Sequence, residues 1–272
     1  MIGCDIVKTR IISAIVMCAI CVPILIIGGL PFKIFACVLG IVSLYEIMNI
    51  RKKDREIPFG IRLLSYAIMG LFIFLGTNVY SSNYETIYKI LSVIFLIYFI
   101  PVVFINDTKK YNIKDALYVL GCSIFIGIAF NSCVMIMNNS LSYLIYILLV
   151  TVSTDTFAYF TGFFIGKHKL CEKISPKKTW EGAVGGSVVG TVIASLYYLF
   201  VINPDVNLFI LIPITLLFTI VGQIGDLFFS SVKRQYDTKD FSNLIPGHGG
   251  VLDRLDSIIF VILTYILFMN LL

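Results

Sequence analysis

Nine long stretches of this chain are almost wholly apolar, with short charged segments between them. A helix that crosses the hydrocarbon of a bilayer needs about 20 apolar residues. The runs that qualify are Ile11–Gly29, Phe32–Met48, Arg62–Val79, Thr86–Ile105, Ala116–Met137, Leu141–Ile165, Gly182–Val201, Leu208–Ser231 and Leu252–Leu272. Strands of a membrane barrel would alternate apolar and polar residues, and these runs do not. Only 14% of residues are charged, against about 25% in a soluble domain. The fold class is therefore all-α: a polytopic integral membrane bundle of nine transmembrane helices. No soluble domain, low-complexity tract or repeat interrupts it.

The charges orient the stack. Lys8 and Arg10 precede the first run, and Arg51, Lys52, Lys53, Arg55 and Arg62 follow the second. Lys109, Lys110 and Lys114 follow the fourth, Lys167, Lys169, Lys173, Lys177 and Lys178 the sixth, and Lys233, Arg234 and Lys239 the eighth. The alternate loops hold few cations, with only Lys33 and Lys89 on that side. Cytoplasmic loops are enriched in Lys and Arg. The pattern predicts a cytoplasmic N-terminus and an outside C-terminus. The first run is too long for a signal-peptide core and lacks a small-residue cleavage site, so a retained helix is expected. Seven scattered cysteines form no disulfide framework, and Cys18-x-x-Cys21 reads as packing.

Two cytoplasmic segments, 166–181 and 232–250, carry the unusual residues. Asp226, Ser230 and Lys233 fall at i, i+4 and i+7, on one face of the eighth helix. Asp253 and Asp256, at i and i+3, share a face of the ninth. Consecutive helices tend to be neighbours, so three carboxylates should converge near the cytoplasmic surface. Like charges repel unless a cation sits among them. A hard divalent ion, Mg²⁺ above all, suits such oxygen donors; each Asp paired with a nearby Lys or Arg is the alternative.

The turn Pro246-Gly247-His248-Gly249-Gly250 leads into the ninth helix. Glycines let backbone N–H groups approach an anion, and a helix N-terminus adds partial positive charge. Ser175-Pro176-Lys177-Lys178-Thr179-Trp180-Glu181-Gly182 enters the seventh helix. Lys177 and Lys178 suit phosphate, Trp180 an interfacial belt, and His168 the surface. Asp155 lies well inside the sixth helix; an acid so placed is either functional or satisfied by neighbouring hydroxyls. Gly162-x-x-x-Gly166 and Gly182-x-x-x-Gly186-x-x-x-Gly190 predict close approach of helices six and seven. An acidic centre beside cations, at headgroup depth, suits a nucleoside triphosphate and a lipid phosphate.

The run Ser230-x-Val232-Lys233-Arg234, then Lys239-Asp240-x-Ser242, then Ile245-Pro246-x-His248-Gly249-Gly250-Val251-x-Asp253-Arg254-Leu255-Asp256 resembles the signature of the phosphatidate cytidylyltransferase, or CDP-diacylglycerol synthase, family. Ser175-Pro176-Lys177-Lys178-Thr179-x-Glu181-Gly182 and Gly225-Asp226-Leu227 resemble it too. The resemblance is carried from about Asp155 onward. It implies Mg²⁺-dependent transfer of CMP from CTP to phosphatidic acid, giving CDP-diacylglycerol and pyrophosphate. It implies that Asp226, Asp253 and Asp256 hold metal, that K⁺ can share that centre, and that Lys233 joins them in catalysis. It implies phosphate binding by Lys177, Lys178, Lys233, Arg234 and Lys239, and a nucleotide pocket shaped by His248, Gly249 and Gly250. Ser175, Thr179, Ser230, Arg254 and Asp155 complete the substrate-binding candidates. Residues 1–140 would then be a scaffold with dimer contacts and 141–272 the catalytic region of a plasma-membrane homodimer, with no nucleic-acid partner. The alternatives are a CTP-dependent lipid or polyprenol kinase, with His248 or Asp155 as base, and an ion or solute transporter. One-sided polar groups and the lack of a repeat weigh against transport.

Overall fold

The computed structural model describes residues 2–76, 84–105 and 107–272. Among them run nine α-helices: α1 (Ile2–Ile27), α2 (Gly29–Ile50), α3 (Phe59–Gly76), α4 (Tyr84–Phe104), α5 (Ile113–Asn139), α6 (Leu141–Ile165), α7 (Trp180–Tyr197), α8 (Leu208–Gln235) and α9 (Leu252–Phe268). Among the described residues six segments are long and apolar enough to cross a membrane: Lys8–Ile27, Gly29–Ile50, Ile113–Asn139, Leu141–Ile165, Trp180–Ile202 and Leu208–Gln235. Shorter apolar helical segments occupy Phe59–Phe74 and Leu91–Phe104. The end of the expected 62–79 span and most of the loop at 80–85 lie outside the described residues.

The all-α expectation has one local exception. Residues 166–181, expected as a loop, contain an antiparallel ribbon of β1 (Lys169–Cys171) and β2 (Ser175–Thr179), with Lys169 opposite Thr179 and Cys171 opposite Ser175. Strands this short and lysine-rich show no alternating apolar signal, so periodicity does not reveal them.

The chain forms two compact units. One comprises residues 1–135 with 240–252, the other 136–239 with 253–272. The signature turn thus belongs with the N-terminal helices, while the acids of α9 belong with α6, α7 and α8.

In the first unit α1 reverses into α2 at Gly28 and Gly29, whose φ values of 64° and 53° favour glycine. The helix resumes before Pro31 because a proline in the first turn has no N–H to lose. α2 and α3 approach closely at Gly40, where a Cβ would stand 2.9 Å from Ile73 Cδ1. Asp115, buried at the start of α5, accepts from Arg51 at 2.7 Å and pairs with Arg55 at 3.0 Å. Part of the basic 51–55 segment is therefore fixed by an internal carboxylate.

In the second unit the glycine faces bring α6 and α7 into backbone contact, as their spacing predicts. A Cβ on Gly182 would stand 2.6 Å from the Ala158 carbonyl oxygen, and one on Gly186 2.6 Å from that of Thr154. α8 joins α7 through Gln223, whose Nε2 donates to the Ala183 carbonyl at 3.1 Å and to Ser187 Oγ at 2.7 Å. Gly225 does the same for α8 and α9, since a Cβ there would meet Phe260 Cβ at 2.8 Å. Tyr146, Tyr198, Phe218 and Tyr265 fill the remaining core edge to face.

Candidate active site

Three acids of the second unit, Asp155, Asp226 and Asp256, lie on α6, α8 and the start of α9 within reach of one another. Asp226 forms a 2.5 Å ion pair with Lys178 and accepts a 3.3 Å hydrogen bond from Ser230 Oγ. The shared face of Asp226 and Ser230 is thus present as their spacing requires. Asp256 lies within electrostatic reach of Asp226, Asp155 and Lys233, and Asp155 within reach of Asp226 and Lys178. Asp155 also borders a narrow crevice lined by Thr151, Thr154, Thr219, Gln223 and Ser257, so it has both charged and hydroxyl neighbours.

Lys178 reaches this cluster because of strand geometry. Successive residues of β2 point to opposite faces. Lys178 is half-buried against Asp226, whereas Lys177 is exposed. Thr179 is buried as the N-cap of α7, its Oγ1 accepting from Gly182 N at 3.1 Å. Ser175 begins β2 opposite Cys171. His168, exposed as expected, contacts Glu181 Oε1 through Nδ1 at 2.6 Å, and Trp180 is 58% exposed, as a belt residue would be.

Lys233 and Asp253 form a buried pair, Nζ to Oδ1 at 2.7 Å, with side chains 9% and 2% exposed. Asp253, expected beside Asp226 and Asp256, pairs with a cation that ties α8 to α9. Arg234 is likewise committed, donating through Nε to the Ile174 carbonyl at 3.3 Å and through Nη1 to that of Thr238 at 2.9 Å. This anchors the tip of the β-ribbon to the end of α8. Lys239 and Arg254 are exposed.

Among the described residues no group of three or more His, Cys, Asp or Glu side chains is arranged to hold a metal ion. The donor chemistry nevertheless fits Mg²⁺. That ion is usually held by one or two carboxylates plus water and substrate phosphate rather than by an all-protein cage. Asp226 and Asp256, with the Ser230 hydroxyl beside them, supply such a partial set.

The signature turn sits in the other unit. Gly247 and Gly249 have φ of 76° and 86°, and Ile245 N donates to the Gly249 carbonyl at 2.8 Å. His248 Nδ1 lies 2.8 Å from Ser13 Oγ, while Ser13 Oγ donates to the Arg10 carbonyl at 3.0 Å. Gly250 is buried against Glu46, a residue that the sequence reading missed. Glu46 Oε1 accepts from Ser242 Oγ at 2.6 Å and Val251 N at 2.9 Å, and Oε2 accepts from Leu252 N at 2.7 Å. Its signal was available: an acid inside the apolar run of α2.

Comparison with known proteins places this cluster in context. Residues 8–272 match the cytidylyltransferase family. The chain belongs to that family. It is 35% identical over 259 residues to the phosphatidate cytidylyltransferase of Bacillus subtilis (strain 168), covering 93% of this chain and 94% of the relative. It is 32% identical over 260 residues to that of Staphylococcus haemolyticus (strain JCSC1435), covering 94% and 96%. It is 34% identical over 256 residues to that of Staphylococcus aureus (strain COL), again covering 94% and 96%. The match spans the N-terminal helices as well as the motif-bearing half. This member of the cytidylyltransferase family is thus a nucleotidyl-transferring enzyme with several membrane-length apolar helices.

Proposed function

We propose that the protein is a CTP:phosphatidate cytidylyltransferase of the plasma membrane, working at the cytoplasmic face. The observation that carries this reading is the Lys178–Asp226 pair with Asp256 and Asp155 in the same electrostatic neighbourhood, in a chain similar over nearly its whole length to phosphatidate cytidylyltransferases. A phosphate oxygen of phosphatidic acid attacks the α-phosphorus of CTP. The new P–O bond forms as the bond from the α-phosphorus to the α–β bridging oxygen breaks, and pyrophosphate leaves with that electron pair. The nucleophile is already anionic, so no base is required, and catalysis is positioning and charge neutralisation.

Asp226 and Asp256 are the residues we assign to Mg²⁺, which would neutralise phosphate charge and align the reacting groups. Lys178 restrains the Asp226 carboxylate and presents a positive charge to incoming phosphate. The buried Lys233–Asp253 pair fixes α8 against α9, and so sets the spacing of Asp226 and Asp256. Ser230 holds Asp226 from the next turn of α8. Lys177, Lys239 and Arg254 are exposed cations suited to gathering anionic substrates from the interface.

All nine helices crossing the membrane, with the N-terminus inside, and assembly as a homodimer belong to the same proposal. The basic loops support the first and the family resemblance the second. The test uses purified protein, phosphatidic acid vesicles and CTP labelled at the α-phosphate. Label should enter lipid, with release of pyrophosphate, only when both substrates and Mg²⁺ are present. Label recovered as soluble CDP would instead identify a CTP-dependent kinase.

A further inference from the structure

We infer that Glu46 is a positioning residue for the reaction: from α2 it clamps the signature turn and fixes the residue at which α9 begins. Glu46 is the one acid of α2 and is fully buried. A buried carboxylate is costly unless it is hydrogen-bonded. Here it takes three donors: the Ser242 hydroxyl and the Val251 and Leu252 amides. Those two amides lie at the N-terminal edge of α9, where backbone donors have no partner within the helix. The local sequence, Gly249-Gly250-Val251, offers no Ser, Thr, Asp or Asn as a cap. A carboxylate from a distant helix fills that role and also favours the positive end of the helix dipole.

Gly250 shows how tightly the clamp closes. A Cβ there would stand 2.5 Å from Glu46 Oε1 and 2.7 Å from Cδ, so any larger residue must displace the carboxylate. Asp253 follows Leu252 directly, and Asp256 lies nearly one turn further. Each residue of an α-helix is rotated by about 100° from the last. If α9 began one residue earlier or later, both aspartates would swing away from α8. Glu46 prevents this by selecting which amides start the helix. Its effect on turnover rests on the proposed role of the α9 acids, whereas the clamp itself does not.

The experiment uses the full chain in lipid nanodiscs. Hydrogen exchange is followed across 242–256, and kcat and KM are measured per folded molecule with α-labelled CTP and phosphatidic acid. Hydrogen bonds to a charged group are strong enough that Glu46→Gln should raise exchange at Val251 and Leu252 roughly 10- to 100-fold. kcat should fall by a similar factor, while KM for CTP moves less than about 3-fold. Gly250→Ala should act in the same way, and Ser242→Ala more weakly. Residues in one network do not act additively, so Glu46→Gln with Gly250→Ala should be little worse than the poorer single variant. Unchanged exchange at the two amides, unchanged kcat in folded Glu46→Gln, or additive losses would overturn the inference. If Glu46→Gln does not fold, Ser242→Ala and Gly250→Ala carry both readouts. Wild-type protein that moves no label into lipid would overturn the cytidylyl-transfer reading and the catalytic consequence, while exchange still decides the clamp.

Discussion

Replacing Asp253 by Asn tests whether this acid holds α8 to α9 or serves mainly at a metal. The Lys233 ammonium and Asp253 carboxylate meet at 2.7 Å with side chains 9% and 2% exposed, so solvent screens them little. Removing one partner of such a pair costs up to about 3–5 kcal/mol, and less where a second acid is in reach, as Asp256 is of Lys233. Asp253 is also the acid in the first turn of α9, where a negative charge contributes roughly 0.3–1 kcal/mol more. Asp253→Asn should therefore lower thermal stability in detergent markedly, with or without Mg²⁺. Replacing both charges, as Lys233→Met with Asp253→Asn, removes the ammonium that has lost its nearest acid and should recover most of the loss. The assay is the unfolding midpoint of the three proteins, with turnover measured below the lowest midpoint. A single variant as stable as wild type, or a double variant no better than the single, would refute the reasoning. Asp253 would then act elsewhere than on Lys233.

Asp226→Asn and Asp256→Asn should leave the fold intact and abolish most turnover, with residual activity needing more Mg²⁺; wild-type Mg²⁺ dependence in both would remove the metal assignment. Lys178→Gln should cost far more activity than Lys177→Gln, because only Lys178 reaches Asp226; equal losses in initial rate would contradict the difference between the two faces of β2. Gly190→Val should prevent α6 from meeting α7, since even a first side-chain carbon would lie 2.4 Å from Thr154 Oγ1. Overpacking of this kind costs about 1–3 kcal/mol or more, and a wild-type unfolding midpoint would show that the helices can part freely.

The helices and their small-residue faces are legible in the sequence because each follows from a local rule. Apolar length gives the span, and Gly182, Gly186 and Gly190 at intervals of four give a stripe. The candidate site is legible as a set of charges but not as a set of partners. Lys233 and Asp253 are 20 residues apart, and whether they pair depends on the rotation of two helices, which spacing within either helix does not determine. The same limit hides the difference between Lys177 and Lys178, adjacent in the chain but set on opposite faces by a strand too short to announce itself. His248 is visible as a loop histidine, while the hydroxyl that orders its ring is 235 residues away. Glu46 was open to detection as an acid in an apolar run; what it grips was not.

The contact between Glu46 and Val251 spans 205 positions of the chain. At translation rates of about 5–20 residues per second, roughly 10–40 seconds pass between synthesis of the acid and arrival of the amides that satisfy it. During that interval the second helix must tolerate a carboxylate with neither its hydroxyl nor its amide donors. The signature turn is thus joined to helices made long before it. A polypeptide truncated ahead of residue 240 would leave the ribosome with its early helices made and their most demanding side chain still waiting.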